Sequence, residues 1–295
     1  MNRPLIEQQA IREDVFRWLD QRRDAGAYEY SRDELTSYTY QGERIPLLDR
    51  GRGIRNPKDF DSTLTIMTSS KQTVYSDGIS PEGLVRYSYQ SRADGDNVKL
   101  LRAYENADPL VYFLGVREGY FVGFYPAYIV HDDPSKREIH LALDESLRFF
   151  DDPLNLKETE RRYAERLVKT RLHQPVFRAR VLRAYATACA ICSLRHAELL
   201  DAAHILPDSS LGGVAEVTNG LALCKIHHAS YDRNLLGISP DFEVRIDQAL
   251  LEEVDGPMLR HGLQDMHGRP LTLPARKAEW PSRERLAEKF EQFAA

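Results

Sequence analysis

The sequence is poor in cysteine and has no long apolar run. Its 295 residues include only three cysteines. An odd number cannot form a fully paired disulfide framework. Two of the three form Cys189-Ala-Ile-Cys192, a spacing that in a cytosolic chain points to metal or redox chemistry. No apolar stretch approaches the ~20 residues that cross a bilayer. The opening Met1-Asn-Arg-Pro-Leu-Ile-Glu-Gln8 lacks the basic-then-apolar pattern of a secretion signal. A cytoplasmic protein with no membrane partner is therefore expected. Internal repeats and low-complexity segments are also missing.

Charge in bulk excludes little. Forty Lys and Arg stand against 45 Asp and Glu, a net charge of −5, which by itself does not call for a polyanion. The average conceals a local stripe. Arg161, Arg162, Arg166, Lys169, Arg171, Arg178, Arg180 and Arg183 face a single acid, Glu165, and such a stripe is a candidate DNA-binding surface.

The length suits two domains, at roughly 100–200 residues each. Residues 4–24 carry Ile11, Val15, Trp18 and Leu19 at helical spacing, with a solvated Arg/Asp/Glu face. Ser31-Arg-Asp-Glu34 has the form of a capping box. From about residue 62 to 145 the pattern turns to short β-branched and aromatic runs at 64–68, 84–89, 110–114, 120–125 and 138–143, with a short helix at 100–106. A compact sheet or small barrel fits this spacing. Tyr87, Tyr89, Tyr112 and Phe113 are either core residues or stacking platforms for a base. Asp151-Asp-Pro153 ends the pattern, and two basic helices follow, 156–171 and one after Pro175.

The chemistry is concentrated between Cys189 and Asp232. Cys189-x2-Cys192 and Cys224-x2-His227 are two ligand pairs 31 residues apart, the form in which four soft or borderline ligands close around a structural Zn²⁺. A redox role for the Cys-x-x-Cys is weaker, because no thioredoxin-like βαβ pattern surrounds it. His204 follows Asp201-Ala-Ala at the end of an expected strand. The segment from Leu221 reads as a return strand running into a helix, on which His228 and Asp232 are four apart and share a face.

These residues resemble the HNH (ββα-metal) endonucleases, in particular the McrA-like zinc-stapled subgroup. Asp201-Ala-Ala-His204-Ile, Asn219-Gly-Leu-Ala-Leu-Cys224 and His228 with Asp232 carry the resemblance, at intervals of 15, 9 and 4 residues. Gln174-x-x-Phe177-Arg178 and Leu182-x-Ala-Tyr185 extend it. The resemblance implies that His204 is the general base, that Asn219 orients it, and that His228 and Asp232 bind a catalytic Mg²⁺ or Mn²⁺. The sequence departs from many members at Ala203, where a further ligand often stands. Asp201 is then a candidate supporting group, arginine partner or ligand.

The expected fold class is α+β. A mostly-β recognition domain at 1–150, of PUA/SRA-like type, is followed by basic linking helices at 151–188 and a ββα-metal nuclease domain with structural zinc at 189–295. The implied function is a metal-dependent DNA endonuclease of modification-dependent, type IV-like restriction type, acting as a homodimer on double-stranded DNA. A nuclease for unmodified DNA and a catalytically inactive zinc-stabilised DNA-binding protein are the alternatives.

Overall fold

The computed structural model describes residues 2–49, 51–70, 84–89, 96–149, 152, 154–207 and 213–294, without the side chains of 96, 165, 168 and 169. The chain forms two compact units, Met1–Arg23 with Ala27–Pro175, and Asp24–Gly26 with Val176–Ala295.

The first unit opens with helix α1 (Leu5–Asp24). Strand β1 (Tyr30–Ser31) and helix α2 (Arg32–Thr36) follow. The capping box is present: the Glu34 amide donates to Ser31 Oγ at 3.2 Å, and Glu34 Oε2 accepts from the Ser31 amide at 2.8 Å. Next come the hairpin β2 (Thr39–Tyr40) and β3 (Glu43–Arg44), then β4 (Ile54–Arg55), β5 (Thr65–Thr68) and β6 (Val85–Ser88). Helix α3 (Asp96–Glu105), β7 (Leu110–Arg117), β8 (Tyr120–Asp133) and β9 (Glu138–Ala142) complete the sheet region. All five strands expected between 62 and 145 are found, and α3 starts four residues before the expected helix.

The main sheet has the order β4-β5-β7-β8-β9-β6, with β1 added on β8. Among the described residues only β5 and β7 pair in parallel. Strand β8 is long enough to pair with β7 through Tyr120–Ala127 and with β9 through Tyr128–Asp133, so one strand ties two halves into a curled sheet. Among the described residues β4 and β6 end the order without pairing to each other, so these residues form a curled sheet and close no barrel.

Ile11, Val15 and Leu19 of α1 pack with Tyr30, Leu35, Val111, Phe113 and Phe121. Arg12, on the face expected to be solvated, is instead 2% exposed. Its guanidinium donates to the carbonyls of Thr63 and Pro109, both at 2.8 Å, and to Ser62 Oγ at 2.7 Å. Burial lowers its pKa to about 10, offset in part by the Asp108 charge. Carbonyls left by the loops before β5 and β7 thus find a donor inside the core.

Helix α4 (Glu158–Val168) is followed by a π-helical stretch, Lys169–His173, and helix α5 (Gln174–Ala184). Pro175 has no amide for the carbonyl four residues earlier, which interrupts the α ladder there. Leu156 and Ala164 are buried with Leu84, Ala142 and Leu147. Most of α5 belongs to the second unit. The segment expected to link two domains, 151–188, is therefore shared between the units, with the division at 175/176.

In the second unit β10 (Leu200–His204) pairs with β11 (Gly220–Cys224), and α6 (Lys225–Asp232) continues from β11. A second hairpin, β12 (Leu236–Ile238) with β13 (Val244–Ile246), and helices α7 (Gln248–Glu252), α8 (Pro257–Gly262) and α9 (Arg283–Ala294) surround them. Phe177, Val181, Leu182 and Tyr185 of α5 enter one core with Leu200, Ala203, Leu221, Leu223, Tyr231 and Leu286. No described helix is long and apolar enough to cross a membrane.

Candidate active site

The four expected zinc ligands converge. One ligand atom from each of Cys189, Cys192, Cys224 and His227 lies within 4.8 Å of the others. Cys224 ends β11 and caps α6, so its Sγ and the ring of His227, three residues on, turn to the same point. His227 Nδ1 is 3.4 Å from Cys189 Sγ and 3.2 Å from Cys224 Sγ. Bonds of about 2.3 Å to sulfur and about 2.0 Å to nitrogen, arranged tetrahedrally, put S and N about 3.5 Å apart. The set could hold a zinc ion. The other ring nitrogen, Nε2, lies 2.8 Å from the Gly262 carbonyl. A carbonyl only accepts, so Nε2 carries the proton and Nδ1 keeps its lone pair for the cluster. Burial disfavours the His227 cation, yet hydrogen bonds with Cys189 and Cys224 push its pKa up to about 10 in the metal-free fold.

Beside this closed cluster lies an open one. The β10–β11 register sets His204 opposite Gly220. Asn219, just before it, is fully buried. Its Oδ1 accepts from the Leu206 amide at 3.0 Å, and its Nδ2 donates to the carbonyls of Leu206 and Val214 at 3.0 and 3.1 Å. Asn219 thereby clasps the backbone just past His204. The His204 ring lies face to face with Phe177 of α5, centroids 4.0 Å apart and planes at 15°. A Cβ on Gly220 would strike Val181 and lie 2.9 Å from Phe177 Cζ. Glycine makes room for that stack.

His228 stands between two carboxylates. Its Nδ1 is 3.3 Å from Asp201 Oδ2, and its Nε2 is 3.4 Å from Asp232 Oδ2. The other Asp201 oxygen, Oδ1, accepts from Arg178 Nη1 at 2.7 Å and Lys225 Nζ at 2.6 Å. Burial raises the Asp201 pKa, but the bonds from His228 and Lys225 and the Lys225 and Arg178 charges outweigh it and hold the group well below the usual carboxylate range. Asp201 is an acceptor only, so His228 donates to it through Nδ1, and Nε2 is the ring atom that faces Asp232. The His228 ring nitrogen and the Asp232 oxygen, 3.4 Å apart, put two ligand-type atoms on one side of α6. Ala203 is fully buried, and Asp201 is the strand carboxylate that reaches the helix.

The family model for HNH endonuclease matches residues 189–239, which span both clusters. The chain carries an HNH endonuclease domain. It is a nuclease, and DNA is its implied substrate. No protein of curated function matches the chain. A solved structure described as "Modification dependent TagI restriction endonuclease" aligns with a TM-score of 0.30 and 14% identity, over 82% of this chain and 85% of that one.

Outside the HNH domain, the expected sites fare unevenly. Tyr112 and Phe113 are fully buried, and the Tyr112 hydroxyl donates to Thr68 Oγ1 at 3.1 Å. They are core residues rather than pocket walls, because β7 is covered on both faces over Leu110–Gly115. Tyr87 and Tyr89 are half-buried on and just after β6, with Tyr89 Oη 2.9 Å from Asp132. The basic stripe is divided. Arg161, Arg162, Arg166 and Arg171 belong to the first unit, and Arg178, Arg180 and Arg183 to the second. Arg162 and Arg166 are exposed, and Arg171 is paired with Asp144 at 2.6 Å. The Lys169 side chain lies outside the described residues. Arg178 is turned inward, its side chain 13% exposed, so it is an internal partner of Asp201 and not a surface phosphate contact. Lys225 was not anticipated at the site. Its only sequence signal is its place immediately after Cys224, at the start of α6.

Proposed function

We infer that this chain is a divalent-metal-dependent DNA endonuclease in which His204 is the general base and His228 and Asp232 hold the catalytic cation. What supports this most is the setting of His228, with Nδ1 occupied by Asp201 and Nε2 facing Asp232. A bound Mg²⁺ or Mn²⁺ would supply Lewis-acid charge at the scissile phosphate and at the leaving 3′ oxygen. His204 takes the proton of the attacking water, a task suited to an imidazole. Asn219 fixes the backbone that follows His204 and so limits where that ring can sit. The product is a strand end with a 5′ phosphate. The Cys189, Cys192, Cys224 and His227 set binds structural zinc and takes no part in the reaction.

The substrate in this reading is DNA carrying a modified base, and the enzyme is a type IV-like restriction nuclease. A ββα module of this size grips the backbone and reads little sequence. Selection then falls to the first unit, for which a PUA/SRA-like role remains part of the proposal. That unit offers a hollow of about 500 Å³ lined by Phe16, Tyr28, Tyr30, Phe124 and Tyr125, with Asp20 and Arg23 on its wall. Aromatic walls and a few polar groups suit a base swung out of the duplex. Tyr87 and Tyr89 are further candidates. Exposed Arg162 and Arg166 supply backbone contacts. Cutting both strands with one site per chain calls for a homodimer, to be checked by light scattering with and without DNA.

The test is cleavage, with Mg²⁺ or Mn²⁺, of a panel of DNAs carrying cytosine, 5-methylcytosine, 5-hydroxymethylcytosine, glucosylated cytosine, N6-methyladenine or uracil. Cleavage confined to one modified substrate is expected. Equal cleavage of all would make this a nuclease for unmodified DNA. No cleavage of any, with His204→Ala binding DNA as the wild type does, would leave a zinc-stabilised DNA-binding protein.

A further inference from the structure

Two neighbouring residues of α5 reach the two histidines of the open cluster by separate routes. Phe177 is 2% exposed and lies flat against His204. Arg178 leaves the helix in the next direction around its axis and forks. Nη1 bonds Asp201 Oδ1, while Nη2 donates to the carbonyls of Leu200 and of Ala197, the latter at 3.3 Å. Asp201 in turn holds His228 Nδ1. The same guanidinium therefore ties down both the carboxylate and the start of the strand that carries it.

We propose that α5 is a positioning helix for catalysis, with Phe177 setting the plane of His204 and Arg178, through Asp201, setting the tautomer and direction of His228. It rests on the roles given above to His204 and His228. It replaces the phosphate contact expected of Arg178 with an internal task.

Three geometric facts favour it. His204 and Asp201 share β10 while His228 lies on α6, and α5 touches His204 directly through Phe177 and reaches His228 through Arg178 and Asp201. The stack is parallel, which stops the His204 ring from rotating about its last torsion, and Gly220 removes the one Cβ that would push Phe177 away. Finally, Arg178 uses a planar fork on a carboxylate and two carbonyls at once, a pattern that a lysine with one charged nitrogen cannot reproduce. Lys225 supplies charge to the same Asp201 oxygen from α6 itself, so charge alone is available without Arg178. What Arg178 adds is geometry.

The experiment uses the full-length zinc-loaded protein with ¹⁵N-labelled histidine. Long-range ¹H–¹⁵N spectra read each ring directly, and loss of signals in His204→Gln and His228→Gln assigns them among the nine histidines. The wild type is expected to show His204 ring protons shifted upfield by the Phe177 ring and a single Nδ1–H tautomer for His228. In Phe177→Met the upfield shift disappears. In Arg178→Lys and in Asp201→Asn the His228 signals move to a mixture of tautomers. In both groups kcat falls ~10–100-fold, the range seen for residues supporting metal ligands, while KM and the salt dependence of DNA binding stay as in the wild type.

A merely electrostatic or DNA-contacting Arg178 gives the opposite result: Arg178→Lys keeps kcat, and Arg178→Gln raises KM and flattens the salt dependence. That outcome, or unchanged ring spectra in folded Phe177→Met and Arg178→Lys, overturns the proposal. If Phe177→Met melts below the assay temperature, the isosteric Asp201→Asn and the charge-conserving Arg178→Lys still decide the His228 half, and the wild-type ring shift decides the His204 half. If the wild type cuts no DNA, the nuclease roles fail, and the spectra still report whether α5 holds the rings.

Discussion

His227 and His228 are adjacent on one helix and live in different chemical settings. His227 is 2% exposed, faces three sulfurs and has its far nitrogen held by a main-chain carbonyl. His228 is 26% exposed at its side chain and lies between two carboxylates, one of which, Asp232, is open to solvent. The first set closes on itself, so a metal there has no position left for water or phosphate. The second leaves one side of the ring free. One residue of helix is about 100° of rotation, enough to separate a staple from a reactive site. The lesson is that ligand type and burial, more than proximity, decide what a metal can do.

The comparison breaks most severely if the staple is removed. Cys224→Ser, or extraction of zinc by a chelator, is expected to unfold the second unit, since structural zinc is worth ~10 kcal/mol or more to such folds. Hydrogen exchange should rise throughout 189–246 while 110–133 keeps its protection. Persisting protection at 189–246 would mean that the cluster is not structural. Changes at the open site should do the reverse. His204→Ala or His228→Ala is expected to lower kcat ~10²–10⁴-fold, as for loss of acid–base or ligand groups, with zinc content and melting temperature unchanged.

Gly220→Ala sits between these extremes. Its new Cβ meets Val181 and Phe177, and such overpacking costs ~1–3 kcal/mol. The expected signature is a lower melting temperature together with lost activity and retained zinc.

The closed site has its own pH behaviour. Hydrogen bonds with Cys189 and Cys224 push the His227 pKa up to about 10 before metal binds, so zinc must displace a ring proton as well as the protons of the thiols. Its apparent affinity therefore rises with pH, and calorimetry in buffers of different ionisation enthalpy should count the protons released.

The smallest effect is expected at the surface. Arg162 is exposed and, among the described residues, pairs with Glu158 one helical turn away. Arg162→Gln should change stability by ~0.5 kcal/mol or less, while reducing the slope of log affinity against log salt by ~0.9 if this side chain neutralises one phosphate. An unchanged slope would remove Arg162 from the DNA contact set.

Much of the second unit was legible because its chemistry depends on intervals along the chain. The spacing of Cys189, Cys192, Cys224 and His227 predicts a convergence that the β11–α6 junction carries out, and a four-residue interval suffices to bring His228 and Asp232 to one side of α6. Strand positions in the first unit were also readable from β-branched and aromatic runs. What escaped was any choice made by tertiary packing. Arg12 follows Ile11 on α1 and carries a full charge, and only the unpaired carbonyls of distant loops explain why it is inside. Leu110-Val-Tyr-Phe-Leu114 is apolar at every position, and only the packing of α1 residues with Phe113 and of Phe124 with Tyr112 decides that both rings are inside. Arg178 belongs to a run of basic residues and cannot be told from them until β10 brings Asp201 within reach.

The Gly262 carbonyl also fixes an order of events. During synthesis all four sulfur and nitrogen ligands emerge before residue 262, which lies 35 residues after His227. A nascent chain that stops short of that carbonyl has every ligand but nothing to turn Nδ1 of His227 toward the thiolates. The acceptor that holds the outer edge of the metal-facing ring is therefore translated well after both the four ligands and the residues proposed to cut DNA.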